Sequence, residues 1–267
     1  MAETKVAAVD ADKWARRGSS FGAVAAAYAE HRPGYPADAL RWCVAPTGRD
    51  VAGLRVLDLG AGTGKLTAVL IGLGADVTAV EPDKEMLAEL RRQVPSARAL
   101  AGPAEAIPLP DGSVDAVLCG QSMHWFDMSR AVPEIARVLV QGGVLAGLWN
   151  CDDDRVEWVA GLRDASEGAA SPSLSRQRNE AAGFSVDQFG ADRFMPAERA
   201  DFPNAQPRTA ASLLATLGTH SQVLIMTPAE RDRVLGQVRA FLASRPETAN
   251  GEFELPMVTS VVRSVRR

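Results

Sequence analysis

Short runs of branched apolar residues alternate with amphipathic segments across residues 50–150 of the 267-residue chain. The runs predict five strands, at residues 56–59, 75–80, 97–101, 114–119 and 144–149, and the first is typical of a strand buried in a parallel sheet. Between them, apolar residues recur at helical spacing, as at Met86, Leu87 and Leu90. Because strands and helices alternate, we predict an α/β fold with a mostly parallel, Rossmann-like sheet and helices on both faces.

The two flanks of this region show different patterns. Residues 1–19 predict a loosely held arm, and an aromatic helix follows over residues 21–31, ending before Pro33. Beyond residue 150 the pattern predicts helices at 152–163, 209–217 and 228–243 and strands at 194–202 and 254–265. We therefore predict an arm with a helical segment (1–50), a core (51–150) and a remainder (151–267) that holds an insert at about 165–225.

A glycine-rich loop follows the first predicted strand, with Gly60, Gly62 and Gly64 at alternate positions. Glycines let the backbone approach a ligand, and the helix after them offers free N–H groups, as in nucleotide-binding units. The spacing is not that of a P-loop, and Lys65 replaces the last glycine of the dinucleotide fingerprint. S-adenosylmethionine fits better, because Asp58 would suit the ammonium of its zwitterionic end. A glycine turn without a ligand is the alternative.

An acidic residue ends the second predicted strand. Glu81 lies about 20 residues beyond the glycine loop, where a carboxylate meets the ribose diol in nucleotide-binding folds. The alternative is a loop carboxylate or a cap for the following helix. Ribose binding by Glu81 would not separate S-adenosylmethionine from a nicotinamide cofactor, because both carry the diol.

A polar and aromatic cluster follows the strand at 114–119, at the sheet edge where open α/β folds bind ligands. His124 is a candidate general base, since its reference pKa is about 6.5. Trp125 is a candidate pocket residue. The alternative is that His124 caps the next helix while Trp125 and Phe126 fill the core.

Composition and charge exclude several other functions. The net charge is −4, and the only basic run is the short end at residues 263–267, so nucleic-acid binding is not expected. Three cysteines without a C-x-x-C pair argue against a disulfide framework or a zinc site and favour a reducing, cytoplasmic setting. The polar amino terminus and the lack of a long apolar run predict neither a signal peptide nor a membrane span. The oligomeric state stays open.

Five ordered motifs resemble those of class I S-adenosylmethionine-dependent methyltransferases that act on small molecules. They cover roughly residues 20–150 and read VLDLGAGTG (56–64), AVEPD (79–83), GPAE (102–105), IPLPDGSVD (107–115) and ARVLVQGG (136–143). Residues 21–36 also resemble the amino-terminal segment of trans-aconitate-methyltransferase-like proteins. The resemblance implies a seven-stranded sheet whose last strand is antiparallel, together with an amino-terminal helical lid and a helical insert.

The resemblance also assigns cofactor-binding roles. Asp58 and the loop would hold the methionine moiety, Glu81 the ribose, and the carbonyl of Gln121 the ammonium. Pro82 and Met86 would flank the adenine, whose edge the backbone of Ala104 would contact. Many relatives carry an acid where this chain has Pro103, so Glu105 or water would replace that contact. The implied cofactor-binding residues of the loop are Gly60, Ala61, Gly62 and Thr63.

The expected reaction is methyl transfer from S-adenosylmethionine to an oxygen, including a carboxylate, or to a nitrogen of a small molecule, with S-adenosylhomocysteine as product. A carboxylate needs only a clamp, which Arg32 and Trp125 could provide, whereas a hydroxyl or amine needs a base such as His124. Tyr28 and Arg32 would close over the site, or else simply pack and face solvent. A nicotinamide-dependent oxidoreductase and a non-catalytic S-adenosylmethionine-binding protein are the alternative functions.

Overall fold

The structure is a computed structural model that describes residues 33–166, 190–218, 223 and 226–267. The predicted helix at 21–31 and its Tyr28, together with Arg32, lie outside the described residues, as does most of the predicted insert between 167 and 189. None of the helices within the described ranges is both long enough and apolar enough to cross a bilayer.

Seven strands form one sheet in the order β3-β2-β1-β4-β5-β7-β6. β1 pairs in parallel with β2 and β4, β2 with β3, and β4 with β5. β7 runs antiparallel to β5, because Gly142 N–H donates to Arg266 O (3.1 Å) and Asp153 N–H to Pro256 O (3.0 Å). The predicted sheet and its antiparallel last strand are confirmed. The strands are β1 (Arg55–Leu59), β2 (Asp76–Glu81), β3 (Arg98–Ala101), β4 (Val114–Gly120), β5 (Leu139–Asp152), β6 (Glu198–Thr209) and β7 (Glu252–Val265).

Helices alternate with the strands as the apolar spacing predicts. Asp83 caps α3 by accepting from Glu85 N and Met86 N, and Thr227 and Glu230 form a capping box at α7. In the described part of the chain, short 3₁₀ turns cover Ala45–Thr47 and Met123–Trp125. The described α-helices are α1 (Ala37–Val44), α2 (Lys65–Gly72), α3 (Lys84–Gln93), α4 (Met128–Val138), α5 (Glu157–Ala165), α6 (Ala210–Gly218) and α7 (Pro228–Ser244).

β5 begins earlier than the apolar run at 144–149 predicts. Leu139 is already extended and pairs with Val114, and the register then shifts before Ala116 pairs with Val144. Gly142, with φ +76°, lies in the extra residues of this irregularity. Gly142 and Gly143 therefore lie inside a strand and not at the end of α4, which ends at Val138.

The chain divides into two compact units. The first comprises the described residues of Met1–Trp149, Ser185–Ala200 and Val261–Arg267, and its centre is β1 and β4, in which Val56, Leu57 and Val117 are buried. The second comprises those of Asn150–Phe184 and Asp201–Ser260. Its core packs α5, α6 and α7 against β7 through Trp158, Leu213, Leu242 and Phe253, among others.

Candidate cofactor site

The candidate site lies where the direction of the chain through the sheet reverses. From β1 the chain continues outward to β2 and β3, whereas β4 and β5 lie on the other side of β1. In open α/β sheets, ligands bind at the carboxyl ends of the strands beside such a switch point. Asp58 of β1 pairs with Leu118 of β4 there, so the loops after both strands leave the sheet at the same edge.

Asp58 is a buried acid with one unpaired oxygen. Its Oδ2 accepts a 2.6 Å hydrogen bond from the Thr67 hydroxyl of α2, while Oδ1 is buried without a hydrogen-bond partner. Burial raises the pKa of Asp58 to about 7, against the lowering effect of the Thr67 hydrogen bond and with a smaller raising effect from Glu81. An unpaired buried carboxyl oxygen is costly unless a donor or a cation meets it. The site therefore suits the ammonium group predicted for it.

Glu81 connects the end of β2 to the glycine loop. Its Oε2 accepts from Gly62 N–H (2.8 Å) and its Oε1 from Asp83 N–H (2.9 Å). Burial raises the pKa of this carboxyl, which is only 7% exposed, and the two backbone hydrogen bonds lower it. Since Asp83 caps α3, the helix-cap alternative for Glu81 does not apply. Each oxygen keeps a lone pair that a ribose hydroxyl could use.

The glycines of the loop serve different purposes. All three have positive φ, at +70° for Gly60, +57° for Gly62 and +87° for Gly64. A Cβ on Gly60 would lie 2.6 Å from Ser122 Cβ, and one on Gly64 3.0 Å from Leu90 Cγ. A Cβ on Gly62 would have no atom within 4 Å. Gly60 and Gly64 thus allow close packing within the protein, whereas Gly62 leaves open the side from which a ligand would approach.

Gln121 has a strained backbone just after β4. Its φ is +57°, the only positive value of a non-glycine residue within the described ranges, and its N–H donates to Leu148 O (2.9 Å). Residues held in the left-handed region cluster at binding sites when the surrounding structure fixes them. The next residue, Ser122, is fixed by a 2.7 Å hydrogen bond to Leu59 O at the end of β1. The predicted contact of the Gln121 carbonyl with an ammonium remains a prediction.

The residues expected around the adenine lie beside β2 and β3. Met86 and Ala104 are buried, Pro82 is exposed, and Thr63 of the loop is buried. Oε1 of Glu105 accepts a 2.7 Å hydrogen bond from Asp127 N–H and so ties the loop after β3 to the start of α4. A contact from Glu105 to the adenine, as the sequence suggests, remains a prediction.

His124 and Trp125 lie on the exposed side of the turn after β4. Their rings are 4.8 Å apart and tilted by 45°, and Trp125 is 38% exposed. Met123 is fully buried and anchors this turn, while Phe126 is half-buried. Trp125 therefore does not fill the core. Both rings are exposed, and their catalytic and pocket roles remain predictions.

Three residues of the site have no sequence motif of their own. Thr67 orients Asp58, Ser122 packs against Gly60, and the Tyr35 hydroxyl lies over Gly120. The apolar patterns place Thr67 on α2 but not its side chain beside Asp58, and a tyrosine between Gly34 and Pro36 indicates only a stiff turn. Within the described residues, no group of three or more histidine, cysteine or acidic side chains could hold a metal ion.

Known proteins resemble this chain in sequence. A family model described as a methyltransferase domain matches residues 57–147. An uncharacterised methyltransferase of Mycobacterium tuberculosis is 39% identical over 246 residues, covering 92% of this chain and 95% of that protein. A malonyl-acyl-carrier-protein O-methyltransferase of Pectobacterium atrosepticum is 40% identical over 96 residues, or 36% of this chain and 38% of that protein.

A solved structure shares the fold. It is a protein of Anaeromyxobacter dehalogenans described as a candidate type II methyltransferase, with a TM-score of 0.61 and 23% identity. The match covers 88% of this chain and 97% of that one.

Proposed function

Because the chain belongs to the class I S-adenosylmethionine-dependent methyltransferases, we propose that it methylates an oxygen atom of a small carboxylic acid. The observation that carries the cofactor half of this proposal is the buried, unpaired Oδ1 of Asp58. The acceptor half is supported by the partial similarity to malonyl-acyl-carrier-protein O-methyltransferases.

The cofactor supplies a methyl group that its sulfonium already activates, so the protein contributes mainly positioning. Asp58 and the Gln121 carbonyl hold the ammonium, and Glu81 holds the ribose hydroxyls. Pro82, Met86 and Ala104 hold the adenine, with Glu105 at its edge. Gly62 lets the loop, from Gly60 through Ala61 to Thr63, approach the ligand, because its Cβ direction is open.

The acceptor lies beside the exposed rings of His124 and Trp125. A carboxylate is already ionised at neutral pH, so its oxygen attacks without a general base. In this proposal His124 orients the acceptor through a hydrogen bond, and Trp125 covers its apolar part. Arg32 and Tyr28, which lie outside the described residues, remain a proposed carboxylate clamp and lid.

The test is turnover with a panel of small mono- and dicarboxylic acids, alcohols and amines, measured as S-adenosylhomocysteine formation and as transfer of a labelled methyl group. We expect product with acids, and base-labile methyl esters among the products. Methylation of amines alone would contradict O-methylation. Calorimetry with S-adenosylhomocysteine and with NAD tests the oxidoreductase alternative. The non-catalytic alternative would be favoured if S-adenosylhomocysteine binds tightly but no compound of the panel is methylated.

A further inference from the structure

Tyr35 precedes α1, yet its side chain reaches the end of β4. Tyr35 is 9% exposed, and its hydroxyl oxygen lies 2.6 Å from the position that a Cβ on Gly120 would occupy. The same position is 3.3 Å from Leu66 Cδ2, in the first turn of α2. Glycine at 120 thus makes room for a phenol group at the carboxyl end of β4.

The Tyr35 hydroxyl lies on the same face of the sheet as the Asp58 side chain. Asp58 pairs with Leu118 in a parallel ladder, and side chains two residues apart on a strand share a face, so Gly120 follows on the face of Asp58. Both side chains also meet the start of α2, Asp58 through Thr67 and Tyr35 beside Leu66. The hydroxyl therefore lies two strand residues, or about 7 Å, beyond Asp58 in the strand direction. It is closer than Asp58 to the edge of the sheet where ligands bind.

The order of the strands decides which end of the cofactor this hydroxyl can meet. Glu81, which binds the ribose in the proposed function, ends β2, on one side of β1. Gly120 ends β4, on the other side of β1. A cofactor that places its ribose at β2 and its ammonium at Asp58 therefore places the rest of its amino-acid end toward β4, where the phenol lies.

We infer that Tyr35 is a cofactor-positioning residue whose hydroxyl donates a hydrogen bond to the carboxylate of S-adenosylmethionine. The inference rests on the proposed cofactor geometry. It pairs the two charges of the amino-acid end with two groups on one face of the sheet: the Asp58 carboxylate takes the ammonium, and the neutral phenol takes the carboxylate. Tyr35 lies before the residues 57–147 matched by the methyltransferase family model, so this contact would be specific to chains with this amino-terminal turn.

The test compares S-adenosylmethionine with its decarboxylated analogue, which keeps the adenosine, sulfonium and ammonium groups. Dissociation constants of the wild-type chain and Tyr35→Phe are measured by competition against labelled S-adenosylhomocysteine, which reaches weak affinities. Tyr35→Phe keeps the buried ring and removes only the hydroxyl. We expect it to weaken S-adenosylmethionine about tenfold or more, as for hydrogen bonds to charged groups, and to leave the analogue unchanged.

Equal weakening of both ligands, or of neither, would overturn the inference and leave Tyr35 as a packing residue. Glu81→Gln is the matched control, because it removes ribose contacts that both ligands share and should weaken both alike. Failure of the proposed function looks different. If its cofactor half fails, the wild-type chain binds neither S-adenosylmethionine nor S-adenosylhomocysteine, and if its acceptor half fails, both still bind but no acid of the panel is methylated. Thermal unfolding of each variant confirms that the compared proteins are folded.

Discussion

Thr67 and Asp58 are joined by a 2.6 Å hydrogen bond that fixes one carboxyl oxygen and leaves the other, Oδ1, buried without a hydrogen-bond partner. Helix α2, which follows the glycine loop, thus orients the acid that precedes the loop in β1. Because burial raises the pKa of Asp58 to about 7, the charge needed to bind an ammonium is incomplete just below neutral pH.

We therefore expect the affinity for S-adenosylhomocysteine to increase as the pH rises toward 7 and to level off above it. Below pH 7 the neutral Asp58 must first lose its proton, so affinity changes by up to about tenfold per pH unit. Calorimetry between pH 5.5 and 8.5 measures this dependence, and Asp58→Asn should bind weakly at every pH. A wild-type affinity that does not vary with pH would contradict the assignment.

The same pKa shift predicts how Asp58 affects stability. The folded pKa of about 7 exceeds the unfolded reference of 3.8, so ionisation is disfavoured in the folded state. The loss of folding stability that results from ionising Asp58 is absent below about pH 4, grows as the pH rises, and is complete above about pH 7. Asp58→Asn should therefore gain stability relative to the wild type, by up to a few kcal/mol, between pH 5 and pH 8. Chemical denaturation at the two pH values measures the difference, and a constant difference would contradict it.

Glu81→Gln should weaken S-adenosylhomocysteine at least tenfold. The carboxylate accepts two backbone N–H groups, whereas a glutamine amide has one acceptor oxygen and must oppose one of those donors with its NH₂ group. The loop contact and the ribose contact are therefore disturbed together. Calorimetry measures the loss, and Glu85→Gln, on the exposed first turn of α3, is the control. Unchanged affinity in Glu81→Gln would make Glu81 a loop acid only.

Gly62→Ala should lose binding and keep most of its stability. The added methyl group meets no protein atom within 4 Å, and the positive φ costs about 1–2 kcal/mol. Gly112 is a matched control, since it has the same φ of +57° and the same open surroundings in the turn before β4. Gly112→Ala should lose similar stability and no affinity. If both variants bind S-adenosylhomocysteine normally, the loop does not approach the ligand.

His124→Ala should raise the KM for the acid acceptor and lower kcat only modestly. In the proposed reaction the imidazole orients an acceptor that is already ionised, so its loss affects binding first. Steady-state kinetics with the best acid of the panel separates the two constants. A fall in kcat of about 10²-fold or more at unchanged KM would instead indicate general-base catalysis and a hydroxyl acceptor.

The parallel core was predictable from sequence because β1 and β4 are almost continuously buried and the helices have a clear apolar period. The start of β5 was not, since a glycine pair such as Gly142 and Gly143 is compatible both with a helix end and with an irregular strand. The residue types of Asp58 and Glu81 indicated their chemistry. Their partners could not be predicted, because the Thr67 hydroxyl and the Gly62 amide reach them only once helix and loop fold back over the sheet.

The contact between Gly60 and Ser122 also constrains how such a chain can change over evolution. An alanine at position 60 would place its methyl carbon 2.6 Å from Ser122 Cβ and 3.3 Å from Phe126 Cε1, at a φ of +70° that already disfavours a side chain, so it requires at least the loss of the side chain at position 122. That second change removes the hydroxyl that binds Leu59 O. The two positions, which are 62 apart in sequence, should therefore change together. In a library that randomises both, the residues tolerated at the two positions should covary, and single replacements should be rare among folded clones.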